Sequence, residues 1–81
     1  MLITVRVFAR LRDIIGASEI QREWPNGSTA RVVWDTLVAE HPELNQYGAV
    51  VSTAINEEYT RIDHPLADGD EIAFLPPVSG G

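Results

Sequence analysis

A single long amphipathic segment limits what this chain can fold into. Its apolar side chains recur at intervals of three and four, which is the spacing of one face of an α-helix. Ser28 or Thr29 is placed to cap the start of this helix, and Pro42 ends it. A helix of this kind must bury its apolar face against another element. The face consists of Ala30, Val33, Trp34, Leu37, Val38 and His41.

Short strand-like segments lie on both sides of this helix. Residues 2–8 alternate with a period of two, so Phe8 falls on the face opposite Ile3, Val5 and Val7. A short helical insert ending at Gly16 follows. Further strands are expected at residues 18–24, 50–56, 59–61 and 72–75, with Glu57 and Glu58 forming the turn between the third and fourth strands. The expected fold class is therefore α+β, with a small mixed sheet crossed by one main helix.

The composition excludes several classes of function. The 81 residues carry twelve acidic side chains and six basic ones, all arginine, for a formal net charge of −6. This balance disfavours nucleic acid and anionic membranes as partners, since both require clustered cations. The chain has no cysteine, which excludes disulfides, thiolate nucleophiles and cysteine-ligated zinc. The apolar runs are shorter than the ~20 residues of a membrane span, and we expect a cytoplasmic protein.

The last six residues, PPVSGG, carry a different signal. Two prolines cannot continue a central strand, so regular structure should end by Leu75, giving a domain at residues 1–75 and an extended tail at residues 76–81. Glycine suits passage through a narrow channel because nothing projects from the chain. The carboxylate of Gly81 would then be the reactive group, and it becomes a good electrophile only after esterification to a leaving group such as AMP.

The order of elements, together with this ending, resembles the ubiquitin-like β-grasp family. More closely, residues 63–81, with the sequence DHPLADGDEIAFLPPVSGG, are similar to the end of the small, sulfur-carrier subunits of molybdopterin synthase. Residues 9–16 and 54–56 are similar to that family as well. The resemblance covers the full chain and implies a β-grasp fold.

The resemblance also implies a mechanism in which this chain is not an enzyme on its own. An ATP-dependent adenylating enzyme activates Gly81 as an acyl-adenylate, and a sulfur donor converts it to a thiocarboxylate. The loaded tail enters the large, catalytic subunit and gives its sulfur to cyclic pyranopterin monophosphate during molybdenum cofactor synthesis. Two small and two large subunits form a heterotetramer. No cofactor is permanently bound, and ATP is used by the activating enzyme.

Partner contacts are expected on apolar side chains that the core leaves free and along the tail. Phe8 and Leu75 are the best exposed apolar candidates. Val78 would pack at the mouth of the channel, and the prolines lower the entropy lost when the tail becomes ordered. The full set of expected partner-binding residues is Phe8, Leu75, Pro76, Pro77, Val78, Ser79 and Gly80.

Three other functions share these features. A related carrier would supply sulfur for thiamine or cysteine synthesis. A protein modifier would join Gly81 to a lysine on a target, although the lack of lysine forbids lysine-linked chains of this protein on itself. A non-covalent β-grasp interaction module would function without Gly81.

The remaining polar and aromatic candidates have structural explanations. His41 is expected to lie at a helix C-terminus, where a cation is favoured by the dipole. Asp63 and His64 lack a third group for a catalytic triad, and the spacing of the two histidines does not predict a metal site. Trp24 and Trp34 are expected to pack in the core or at an edge rather than to form a ligand cage.

Overall fold

The structure, a computed structural model, describes residues 1–77 as five strands, two α-helices and one 3₁₀ helix. Strand β1 is followed by helix α1, strand β2 and the long helix α2, and the 3₁₀ helix leads to the last three strands. The bounds are β1 Leu2–Val7, α1 Ala9–Ile15, β2 Glu19–Glu23, α2 Ala30–Glu40, the 3₁₀ helix Pro42–Tyr47, β3 Ser52–Ile55, β4 Glu58–Thr60 and β5 Glu71–Leu75.

The five strands form one mixed sheet in the order β2-β1-β5-β3-β4. β1 and β5 are parallel neighbours at the centre, whereas the other three pairings are antiparallel. One face of the sheet is covered by α2 and the other is not, so the expected α+β class with one main helix on a mixed sheet is confirmed.

The core lies between the sheet and α2. Alternate residues of β1 and β5 face the helix, and Phe74 is fully buried with its ring centroid 5.1 Å from that of Trp34. Burial of one such side chain contributes about 1.5–3 kcal/mol. Both tryptophans are buried, as predicted. The other core residues of these three elements are Ile3, Val5, Val7, Ile72, Ala30, Val33 and Leu37.

The helix boundaries follow from local capping chemistry. The Thr29 hydroxyl accepts a hydrogen bond from the Val32 N–H at 3.4 Å, so Thr29 rather than Ser28 caps α2. His41 follows the helix and its N–H donates to the Leu37 carbonyl. Gly16 ends α1 with φ 85°, a conformation that costs glycine little.

Three sequence expectations require correction. Phe8 was expected to close the first strand, but β1 ends at Val7 and Phe8 is the N-cap residue of α1. The turn before β4 consists of Asn56 and Glu57, both at positive φ, and Glu58 already pairs with Ile55. Residues 43–48 belong to none of the predicted strands or helices, whereas Pro42 starts a 3₁₀ helix that runs to Tyr47. Proline suits that first position because it has no N–H to satisfy.

Candidate partner-docking face and tail exit

The face of the sheet opposite α2 carries the candidate site, and we call it the open face. The strand registers align one residue from each strand into a continuous row across this face. From β2 to β4 the row reads Glu19, Arg6, Ala73, Ala54 and Tyr59.

This row forms a trough with two small side chains at its floor. Ala73 and Ala54 lie between Arg6 on one side and Tyr59 on the other, and Tyr59 is 76% exposed. Adjacent strands are about 4.8 Å apart, so Arg6 and Tyr59 are separated by roughly 14 Å across three strand spacings. A trough of this width is wide enough to hold large apolar side chains.

Phe8 and Leu75 lie at one end of the open face, where the tail begins. Val7 and Phe74 form the last register pair of β1 and β5, and Phe8 and Leu75 are the residues that follow them. Both side chains are half-buried and thus less exposed than the sequence predicted, and Leu75 alternates with the buried Phe74. The structure therefore brings these two predicted contact residues together on the side of the sheet away from the core.

Arg6 stands beside Phe8 and links the tail exit to the trough. Its guanidinium carbon is 5.4 Å from the centroid of the Phe8 ring, and its Nη1 is 3.7 Å from Oε1 of Glu71. That ion pair is too long for a hydrogen bond, and an exposed pair of this kind contributes little to stability. The guanidinium therefore lies on the open face without a hydrogen bond to Glu71.

The structure describes the start of the tail only. Pro76 is half-buried, Pro77 is exposed, and neither belongs to a regular element. Leu75 pairs with the exposed Ser52, so the chain leaves the sheet beside β3. The predicted contacts of Val78, Ser79 and Gly80 and the predicted reactivity of Gly81 lie outside the described residues.

Arg6 and Tyr59, which flank the trough, were not among the site residues predicted from the sequence. The period-two pattern of residues 2–8 already placed Arg6 on the face away from the core. Tyr59 had no comparable signal, because β4 has only three residues and its start was misplaced.

The other polar candidates do not assemble into a catalytic centre. His64 is exposed, and its Nδ1 lies 2.7 Å from the carbonyl oxygen of Pro65. Asp63 pairs instead with Arg61 at 3.5 Å. Among residues 1–77, no three His, Cys, Asp or Glu side chains gather in a geometry suited to a metal ion. In the same residues, no helix has both the length and the apolar character needed to cross a membrane.

Comparison with known proteins identifies the family. The model of the ThiS family matches residues 5–81. The chain belongs to the ThiS family. Among curated ThiS-like relatives, the molybdopterin synthase sulfur carrier subunit of Arabidopsis thaliana is 39% identical over 79 residues, covering 98% of this chain and 82% of the plant protein. The family resemblance predicted from the sequence is thereby confirmed.

Solved structures agree with this ThiS-family assignment. The small archaeal modifier protein 1 from Methanosarcina acetivorans matches with a TM-score of 0.80 and 28% identity, covering 99% of this chain and 96% of the archaeal one. A complex of subunits 1 and 2 of the molybdopterin-converting factor from Helicobacter pylori contains a chain that matches with a TM-score of 0.68 and 27% identity, with full coverage of both chains. The expected β-grasp fold is confirmed.

Proposed function

We propose that this chain is the sulfur carrier of molybdopterin synthase, and that it delivers sulfur on the thiocarboxylate of Gly81. The observation that carries the proposal is similarity to a molybdopterin synthase sulfur carrier subunit over 98% of this chain, together with a family match that extends through Gly81. The carrier works in the cytoplasm, where ATP is available to the activating enzyme.

The chemistry begins with activation of the tail by a separate ATP-dependent enzyme. An oxygen of the Gly81 carboxylate attacks the α-phosphate of ATP, pyrophosphate leaves, and an acyl-adenylate forms. A donor of sulfide-level sulfur then attacks the acyl carbon, AMP leaves, and a thiocarboxylate remains. Its sulfur attacks cyclic pyranopterin monophosphate in the large subunit, and water finally releases the carboxylate for another round.

This chain contributes the delivered atom and not the substrate pocket. The substrate carries a phosphate, whereas residues 76–81 contain no basic side chain and the whole chain has a formal net charge of −6. Arginine and lysine are the side chains that bind phosphate in proteins. We therefore assign the phosphate-binding cations to the large subunit.

The open face and the tail form one continuous docking surface in this proposal. A partner that takes the tail into a channel must approach Leu75, the last residue before it, and Phe8 lies at the same end of the face. The complex of molybdopterin-converting factor subunits from H. pylori supports a large subunit as that partner. We expect apolar side chains of the large subunit in the trough floored by Ala73 and Ala54, and an acceptor group opposite Arg6.

The test is intact-mass spectrometry of the chain purified from its native host with an N-terminal tag, so that Gly81 stays free. Cells that lack the large subunit should accumulate a species heavier by the exchange of one oxygen for one sulfur. Deletion of Gly81, or addition of one residue after it, should remove that species and leave the circular dichroism unchanged. An extended variant that still transfers sulfur would contradict the carrier mechanism.

A second candidate function is protein modification, which the similarity to small archaeal modifier protein 1 favours. In that case, the same experiment would yield conjugates in which Gly81 is joined to a lysine of another protein. Conjugates without any thiocarboxylate species would replace the sulfur-carrier proposal with this one.

A further inference from the structure

Two dipeptides of this chain share a chemical vulnerability, and the structure separates them. When Asn or Asp precedes Gly, the backbone nitrogen of the glycine can attack the side-chain carbonyl carbon of the residue before it. Glycine permits this because no Cβ restricts the approach. The two pairs are Asn26-Gly27, between β2 and α2, and Asp68-Gly69, just before β5.

The Asp68-Gly69 pair is held on both sides by the backbone of Leu2. The Leu2 N–H donates to Oδ1 of Asp68 at 2.6 Å, and the Gly69 N–H donates to the Leu2 carbonyl at 2.8 Å. The attacking nitrogen and the attacked carboxyl group are therefore both fixed by a third residue. They cannot meet unless both hydrogen bonds break, so this pair is protected.

The Asn26-Gly27 pair has no such restraint. Both residues are exposed, and within residues 1–77 neither the Asn26 side chain nor the Gly27 N–H hydrogen-bonds to another protein group. Gly27 has φ 90°, and a Cβ placed on it would meet no atom within 4 Å. The nitrogen and the side-chain amide are thus free to approach each other.

The other two asparagines are protected by their neighbours. Asn56 donates from Nδ2 to Asp70 at 2.9 Å and accepts at Oδ1 from the Glu71 N–H at 3.0 Å, so its side chain is fixed. Asn45 lies within the 3₁₀ helix, and Gln46 follows it. Neither asparagine precedes a glycine.

From these contrasts we infer that Asn26 is a site of spontaneous deamidation and isoaspartate formation. The Gly27 nitrogen bonds to Cγ of Asn26 and loses its proton, while the Cγ–Nδ2 bond breaks and ammonia leaves. Water then opens the cyclic imide at one of its two carbonyl groups, which gives aspartate or isoaspartate at position 26. The net change replaces ammonia by water and raises the mass by about 1 Da.

The two products differ in their effect on the fold. Aspartate adds a charge in an exposed turn before the N-terminus of α2, where a negative charge is tolerated. Isoaspartate lengthens the backbone between Pro25 and Ser28. The Ser28 N–H and Oγ both donate to the Pro25 carbonyl, at 3.2 and 2.7 Å, and the Ser28 carbonyl accepts from the Leu66 N–H at 3.0 Å. Isoaspartate therefore loosens the start of α2.

The experiment ages the full chain at mildly alkaline pH and then digests it with trypsin. Cleavage after arginine isolates residues 23–31, in which Asn26 is the only side-chain amide, from residues 32–61, which contain Asn45 and Asn56. We expect the mass gain on residues 23–31, with two chromatographic isomers, and unchanged peptides elsewhere. Isomerisation of Asp68 leaves the mass unaltered, but it would divide the peptide that begins at Ile62 into two chromatographic peaks.

Two variants complete the test. Asn26→Gln should abolish the mass gain on residues 23–31. Asn26→Asp should have the same unfolding midpoint as the unaged protein, whereas the isoaspartate fraction of the aged protein should have a lower midpoint. The inference is overturned if residues 23–31 gain no mass, if residues 32–61 gain mass as fast, or if Asp68 isomerises at the same rate. The turn lies beside the start of β1, whereas Val7 and the tail exit lie at the other end of that strand. This result therefore does not depend on the sulfur-carrier function.

Discussion

The guanidinium of Arg6 covers the ring of Phe8 at a distance of 5.4 Å. Such an exposed cation–π contact contributes about 0.5–1 kcal/mol, and it holds an aromatic side chain at the point where the tail leaves the sheet. Phe8 is the N-cap residue of α1 and Ala9 has φ 51°, so the backbone turns sharply just after the ring. The ring is therefore restrained from both sides before any partner arrives.

Replacement of Phe8 should separate docking from folding. We expect Phe8→Ala to weaken binding to the large subunit by roughly thirtyfold, the effect of removing an aromatic anchor worth about 2 kcal/mol. Titration calorimetry measures the affinity. Val32→Ala is the matched control, because Val32 is an exposed apolar residue of α2, away from the open face. Equal affinities for the two variants would remove Phe8 from the interface.

A charge at Leu75 should have a similar effect. Leu75→Glu places a carboxylate among apolar partner groups, so we expect the affinity for the large subunit to fall by at least roughly tenfold. The urea midpoint should change little, since Leu75 faces away from the core that Phe74 enters. Val32→Glu introduces the same charge at a residue of α2 that is 43% exposed and lies away from the open face. Loss of cooperative unfolding in Leu75→Glu would show that Leu75 belongs to the core.

The hairpin between β3 and β4 is strained at Glu57. This residue has φ 70°, in the left-handed region where glycine is favoured and other side chains are crowded. Glu57→Gly should raise the free energy of unfolding by about 1 kcal/mol in urea titrations. Asn56 also has positive φ, but its side chain donates a hydrogen bond to the Asp70 carboxylate and accepts one from the N–H of Glu71, at the start of β5. Asn56→Gly should therefore destabilise the protein, and a gain there would contradict this explanation.

Acidification should weaken the link between β2 and α2. A bidentate hydrogen bond from Arg22 lowers the pKa of Glu40 below its ordinary value of 4.5. The folded state favours the charged carboxylate more than the unfolded state does. The contribution of the pair to folding stability is therefore complete above pH 4.5. It is lost as the pH falls through the lowered pKa. The pair is partly exposed, so its worth at neutral pH is only about 0.2–1 kcal/mol.

The check is a pair of urea titrations of Glu40→Gln, at neutral pH and well below pH 4.5. The variant should be slightly less stable than the parent at neutral pH and equal to it in acid. Added salt should reduce the difference, since exposed pairs are screened. A difference that grows in acid would contradict the assigned sign.

Periodicity predicted the elements that bury a regular face. The spacing of Val33 and Leu37 and the alternation of Ile3 and Val5 leave one arrangement that covers both apolar faces, and the structure has it. The 3₁₀ helix could not be predicted in this way, because only Leu44 of its residues is fully buried and a single apolar position carries no period.

The register between neighbouring strands could not be predicted from the sequence either. Each strand shows which of its residues alternate, but not which residue of another strand lies beside it. The alignment of Arg6 with Ala73, and of Ala54 with Tyr59, depends on contacts between segments far apart in the chain. The trough of the open face therefore could not be predicted from the sequence, although Phe8 and Leu75 at its end were each singled out as candidates.

The position of β5 has a mechanical consequence. This strand is bonded on both sides, to β1 from Thr4 to Val7 and to β3 from Ser52 to Ile55, and the tail continues directly from its last residue. A pull on the tail acts along β5, across hydrogen bonds that run perpendicular to the strand on the antiparallel β3 side and at a slant on the parallel β1 side. Both ladders resist together in shear, whereas a tail on the edge strand β2 or β4 would be held by a single ladder. Withdrawal of the tail from a tight channel thus loads the strand that the sheet grips on both sides.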